Sequence, residues 1–99
     1  GRARGRQLGA HTMSVDTVLN KTKAILEQRG KEYGDADILF NKIADRFSLV
    51  LNRKVDKYTT ARLLVELKLA RLDMGYKQDS LLDALGYLSI AESLHQERL

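Results

Sequence analysis

The chain has 99 residues, 43% of them hydrophobic, which is enough for one domain with a single core. It contains no cysteine, so a disulfide framework and a thiolate metal site are excluded, and it contains no proline. Leu, Ala, Lys and Arg are abundant, which favours an all-α protein, and the net charge of +4 raises the question of a nucleic-acid partner.

The positive charge comes mainly from the first twelve residues. Residues 1–12 (GRARGRQLGAHT) contain three arginines and no acidic residue, and they show no hydrophobic periodicity. Met13 follows them in the position expected of a natural first residue. We interpret them as an added, disordered leader, and residues 13–99 as a single helical domain. Without the three arginines, 14 basic residues face 13 acidic ones, a net charge of +1. The domain therefore has no basic bias, and a nucleic-acid partner is not expected.

The chain also lacks the features of a membrane or secreted protein. No apolar run approaches the roughly 20 residues that a membrane-spanning helix needs, and no charged segment followed by an apolar one begins the chain. We predict no membrane partner and a cytoplasmic location.

Two helices are predicted in the first half of the domain. The first runs from Ser14, as N-cap, to Arg29, with Gly30 as the left-handed residue past its end. After the link KEYGD, the second is capped by Asp35 or Asp37 and runs to Asn52. Its apolar residues share one broad face: Leu39, Phe40, Ile43, Ala44, Phe47, Val50 and Leu51.

Two further helices are predicted in the second half. The third is capped by Thr59 or Thr60 and ends near Gly75, and the fourth begins at Asp79, which suits an N-cap, and runs nearly to the end. Because the link between them is short, they should pack as an antiparallel hairpin within a four-helix bundle. The fourth helix is apolar nearly all round, which predicts a homo-oligomer, a dimer or tetramer, whose second subunit covers it.

Charged residues interrupt the apolar surfaces of this hairpin. Lys68 and Arg71 fall inside the apolar arc of the third helix, and Asp83 falls between Tyr87 and Ile90 on the fourth. A buried carboxylate must be paired, protonated or bound to a metal. In one interpretation Lys68, Arg71 and Asp83 form a buried ion-pair cluster, with Arg71 the better partner because its planar fork binds a carboxylate bidentately. In the other, Asp79 and Asp83 bind a divalent cation. The charge signs favour the ion pair.

Several segments together resemble a known group of proteins. RGKEYGD, KIADRF, ELKLARL and DSLLDALGYLSIAESL are similar to segments of small phage- and prophage-encoded all-α proteins with RGxxYGD and Dx3DxxGY motifs, most of them without an assigned activity. These proteins are similar in turn to the MazG-like and dimeric dUTPase-type nucleoside triphosphate pyrophosphohydrolases. The resemblance implies a MazG-like four-helix bundle.

In those enzymes two helices supply paired carboxylates to Mg²⁺ on the substrate's phosphates. By position, Asp79 and Asp83 correspond to the second pair, whereas the helix that should carry the first pair presents Lys68 and Arg71 inward. The resemblance therefore implies a non-catalytic helical oligomer without a cofactor, which binds a nucleotide or a host protein. The alternative is a Mg²⁺-dependent nucleoside triphosphate pyrophosphohydrolase.

Four residues are the candidate contacts for a nucleotide. Tyr33 could stack on a base and Lys31 could meet a phosphate, although Tyr33 could equally pack over the end of the bundle. Lys68 or Arg71 could contact phosphate from the third helix.

Overall fold

A computed structural model of the protein describes residues 14–98, apart from the side chains of Tyr33, Glu97 and Arg98. This part of the chain forms four α-helices and no strand: α1 (Val15–Tyr33), α2 (Ala36–Leu51), α3 (Lys57–Met74) and α4 (Gln78–Arg98). The predicted all-α, four-helix architecture is confirmed for these residues. The predicted leader at residues 1–12 lies outside them.

The first helix is longer than its sequence pattern predicts. Ser14 caps it as expected, since its Oγ accepts from the Thr17 N–H at 3.1 Å. The helix does not stop at Arg29, however, and Gly30 lies within it. A single helical glycine costs only about 1 kcal/mol relative to alanine, so the helix continues to Tyr33. Gly34 is the C-cap, with φ +81°, a conformation that glycine adopts readily.

The second helix ends in a firmly held link. Asp35 caps its start through the Asp37 N–H at 2.8 Å, and Asn52 ends it in the left-handed conformation. The Ser48 Oγ accepts from the Val55 N–H at 2.9 Å and donates to the Ala44 carbonyl at 2.8 Å. This hydroxyl therefore ties the link back onto the last turns of α2.

The caps of the third and fourth helices differ from the predicted ones. Asp56, not Thr59 or Thr60, caps α3, and its Oδ1 accepts from the Thr59 N–H at 2.8 Å. Thr60 is instead fully buried within α3 and donates to the Asp56 carbonyl at 2.9 Å. The fourth helix begins at Gln78, so Asp79 lies in its first turn rather than at the N-cap. There its charge complements the positive end of the helix dipole.

The core lies between α2, α3 and α4. Helices α3 and α4 pack most extensively, as an antiparallel hairpin, while α2 packs on α3 and α1 packs chiefly on α4. Phe40, Ala61, Ala91 and Leu94 form the buried cluster, and Tyr58, Leu64, Tyr87 and Ile90 pack against it. In the described part of the chain, no helix has both the length and the apolar character that crossing a bilayer requires.

The apolar faces of α2 and α4 are covered differently from the prediction. On α2 only Phe40 and Ala44 are buried, and Val50 and Leu51 near its end are exposed. Helix α4 packs on both α1 and α3. Contacts within one chain therefore account for most of the apolar residues around α4.

Candidate functional site: a charged cluster beside an apolar groove

One carboxylate joins three helices. The Asp83 Oδ2 atom, on α4, lies 3.0 Å from the Lys68 Nζ atom of α3. Its Oδ1 atom lies 3.7 Å from the Arg29 Nη2 atom of α1. The Asp83 and Lys68 side chains are 15% and 17% exposed, whereas that of Arg29 is 52% exposed. Asp83 and Lys68 therefore form a largely buried pair, and Arg29 is held more loosely at its edge.

This cluster differs from the sequence prediction in one member. Arg71 is exposed and makes no ion pair with another described residue, and Arg29 of α1 occupies the second place beside Asp83. Positions 68 and 71 are about 60° apart around a helix. Lys68 therefore lies at the edge of the core, and Arg71 lies on the solvent side of α3.

An open apolar groove begins at this cluster. It has a volume of about 620 Å³ and lies between the second half of α1, the start of α2 and the middle of α4. Its lining is mainly apolar: Ile25, Leu26, Arg29, Gly30, Gly34, Ala36, Leu39, Phe40, Asp83, Gly86, Tyr87, Ser89, Ile90 and Ser93. Clefts of roughly 300–1,000 Å³ with few polar groups are typical of small-molecule sites.

Two aromatic rings contribute to the groove from facing helices. The Phe40 and Tyr87 rings lie edge to face, with centroids 6.2 Å apart and planes at 76°. Phe40 is almost completely buried, and Tyr87 is partly buried. Their position next to Asp83 and Arg29 gives the groove an aromatic wall and a charged end.

Glycines keep the α1 side of the groove open. A Cβ atom at Gly30 would meet nothing within 4 Å, although Gly30 lies inside α1. No described residue therefore requires glycine at position 30 for steric reasons, and the lack of a side chain there leaves room in the groove.

Replacing Gly30 with alanine should raise the free energy of unfolding by about 0.5–1 kcal/mol, because alanine loses less backbone entropy in a helix. Urea denaturation measures this change. Gly34→Ala is the matched control: its site is equally open, but its φ of +81° strains an alanine, so this variant should be less stable than wild type. A Gly30→Ala protein no more stable than Gly34→Ala would contradict the helical assignment of Gly30.

The predicted nucleotide contacts do not gather in the groove. Lys31 is exposed in the last turn of α1, Arg71 is exposed on α3, and neither lines the groove. Lys68 does not line the groove, but it forms an ion pair with Asp83, which does. The side chain of Tyr33 lies outside the described part of the chain.

Within residues 14–98, no third carboxylate joins the two predicted metal ligands, Asp79 and Asp83. Asp79 is exposed in the first turn of α4, and Asp83 already contacts two cationic side chains. No group of three or more His, Cys, Asp or Glu side chains within residues 14–98 is arranged to hold a metal ion. Magnesium sites use carboxylates and water, and cations beside the carboxylate oppose binding, so these residues do not fit Mg²⁺.

Comparison with known proteins places this site in a family. A model described as "Domain of unknown function (DUF6378)" matches residues 17–95. The chain belongs to the DUF6378 family. Every groove-lining residue of this DUF6378 protein, and all three members of its charged cluster, fall within the matched segment.

A relative of this DUF6378 chain comes from a bacteriophage. The "Gene 55 protein" of Mycobacterium phage D29 is 30% identical over 84 residues, covering 83% of this chain and 56% of the relative. The chain thus spans little more than half of that relative's length. No solved structure matches the chain significantly.

Some residues of the DUF6378 site were not foreseen from sequence. Arg29 and Phe40 lie in segments already recognised, RGKEYGD and the apolar face of the second helix, but neither was assigned to a site. A signal existed for Arg29, since it precedes Gly30 in a motif whose glycines line the groove. Its pairing with α4 depends on how α1 docks, which local periodicity does not specify.

Proposed function

We propose that this phage-type protein is a non-catalytic nucleotide-binding protein, and that the groove between α1, α2 and α4 is its binding site. One observation supports this proposal above the others: an apolar, aromatic groove of about 620 Å³ ends at a half-exposed arginine. A nucleotide has the complementary chemistry, with a flat ring at one end and an anionic phosphate at the other.

The apolar part of the groove suits the base. Tyr87 offers a partly buried aromatic ring, and the open space beside Gly30 lets a flat ligand approach the α1 backbone. Base–aromatic contact is worth roughly 1–3 kcal/mol per base. Asp83, at the charged end of the groove, can accept a hydrogen bond from a ribose hydroxyl.

Arg29 suits the phosphate. Its 3.7 Å separation from Asp83 is longer than a hydrogen bond, so rotating toward a ligand sacrifices little. Lys68, at 3.0 Å, stays with Asp83 and offsets its charge. A guanidinium binds phosphate oxygens bidentately, which gives both strength and orientation.

The cations beside Asp83 favour binding over hydrolysis. A MazG-like, Mg²⁺-dependent pyrophosphohydrolase would require Asp83 to release Lys68 in favour of the metal, and it would require further carboxylates. We therefore propose that the protein binds a nucleotide without hydrolysing it, and a host protein is the other class of ligand.

Arg29→Gln should weaken binding of a nucleoside triphosphate about tenfold or more, because one charge-assisted contact is worth about 1.5–3 kcal/mol. Binding of the matching nucleoside, which lacks phosphate, should hardly change. Isothermal titration calorimetry with the common ribo- and deoxyribonucleotides, each beside its nucleoside, measures both effects.

Arg46→Gln provides the matched control, since Arg46 is an exposed arginine of α2 outside the groove. Equal losses in the two variants would indicate nonspecific charge attraction and contradict the proposal. So would the absence of binding by any nucleotide. Magnesium-dependent pyrophosphate release in the same samples would identify the enzyme instead.

A further inference from the structure

A stripe of exposed apolar side chains follows α3 on the side away from the core. Leu63, Leu67 and Met74 are 41%, 50% and 90% exposed, and Ala70 is exposed between them. At 100° per residue the four lie within about 60° of arc. The same helix buries its opposite side, where Ala61 is fully buried.

The spacing of this α3 stripe is that of a coiled-coil seam. The intervals are four, three and four residues, so Leu63 and Ala70 occupy d positions, and Leu67 and Met74 occupy a positions. Position g before Leu67 is Glu66, and position e after Ala70 is Arg71. Both are exposed, and neither forms an ion pair with another described residue.

We propose that the α3 stripe binds a second copy of this chain, with the two α3 helices parallel about a two-fold axis. In a parallel pair, a g residue faces the e residue five positions later on the other helix. Glu66 then lies beside the partner's Arg71, and symmetry provides the interaction twice.

The charges select this orientation. In an antiparallel pair, g positions face g positions, so Glu66 would lie beside the partner's Asp73 and repel it. The parallel pair replaces two repulsions with two attractions. This accounts for Arg71, which the charged cluster does not use.

The seam is short, about 17 Å from Leu63 to Met74, so a dimer of modest affinity is expected. The α3 helices are already folded within each bundle, so association carries no free-energy cost of helix formation. This interface lies on α3, rather than on the α4 face from which an oligomer was predicted. It is independent of the nucleotide proposal.

Sedimentation equilibrium of the full chain tests the proposal. The wild type should dimerise at tens of micromolar, and Leu67→Glu should raise the dissociation constant at least about tenfold, because it buries a carboxylate in the seam. Val50→Glu, at an 82% exposed apolar residue of α2, is the matched control and should leave the dimer intact. Circular dichroism confirms that each variant is folded.

A charge swap tests the orientation. Glu66→Arg alone and Arg71→Glu alone should each weaken the dimer several-fold, and the double variant should restore it, because the pair is re-formed with opposite signs. A monomeric wild type would overturn the proposal. A dimer insensitive to Leu67→Glu, or single swaps that the double swap does not rescue, would do so too.

Discussion

Replacing Asp83 with alanine should lower the free energy of unfolding by roughly 2–3 kcal/mol. Breaking a fully buried pair costs about 3–5 kcal/mol and breaking an exposed one costs about 1 or less, and this cluster lies between those limits. Lys68, whose side chain is 17% exposed, would be left with a largely buried charge and no carboxylate beside it. Urea denaturation with EDTA and again with excess magnesium measures the loss.

Two further variants make the Asp83 test specific. Asp45→Ala removes an exposed carboxylate from α2 and should change stability by less than about 0.5 kcal/mol. Combining Asp83→Leu with Lys68→Met removes both charges and should recover most of the loss. The ion-pair interpretation fails if magnesium markedly stabilises the wild type and Asp83→Ala is as stable as the wild type in EDTA.

Phe40→Ala should cost about 3–4 kcal/mol, the largest effect expected from any single substitution in the groove. Phe40 is only 3% exposed, belongs to the buried cluster and contacts Tyr87 edge to face. Truncating a buried phenylalanine typically costs about 3–5 kcal/mol, and collapse of the adjacent groove relieves part of the cavity. A domain of this size should lose roughly 12–32 °C in Tm, measured by calorimetry.

Phe47→Ala, two turns further along α2, is the control for Phe40. Phe47 is only partly buried, so its truncation should cost clearly less, about 1–2 kcal/mol. If the two variants were equally destabilised, the Phe40–Tyr87 contact would have no special part in holding α2 against α4.

The sequence predicts the helices well because each follows from short-range chemistry. Ser14, Asp35 and Gly75 mark helix ends through caps that depend on a few neighbouring residues. The errors arose where two local signals competed. Gly30 was assigned to the end of α1, whereas Gly34, four residues further on, is the C-cap, and Thr59 or Thr60 was assigned as the N-cap of α3, whereas Asp56 is.

The site is less predictable because it depends on how the helices dock. Lys68 could be placed beside Asp83 because the short link fixes the register of α3 against α4. Arg29 could not be placed there, since it is 54 residues away from Asp83 in sequence and the docking angle of α1 is set by packing. Groove volume likewise depends on the separation of α1, α2 and α4, which hydrophobic periodicity does not encode.

Gly86 lies where the Leu26 side chain of α1 packs closely against α4. A Cβ atom there would lie 3.3 Å from the Leu26 Cδ2 atom, so glycine at position 86 leaves room for the Leu26 side chain of α1 against α4. A methyl group at position 86 would therefore require the Leu26 side chain to shift by a few tenths of an ångström. A substitution at Gly86 would thus act on the α1 side of the groove through Leu26, while the residues of the charged cluster and the two aromatic rings stay the same.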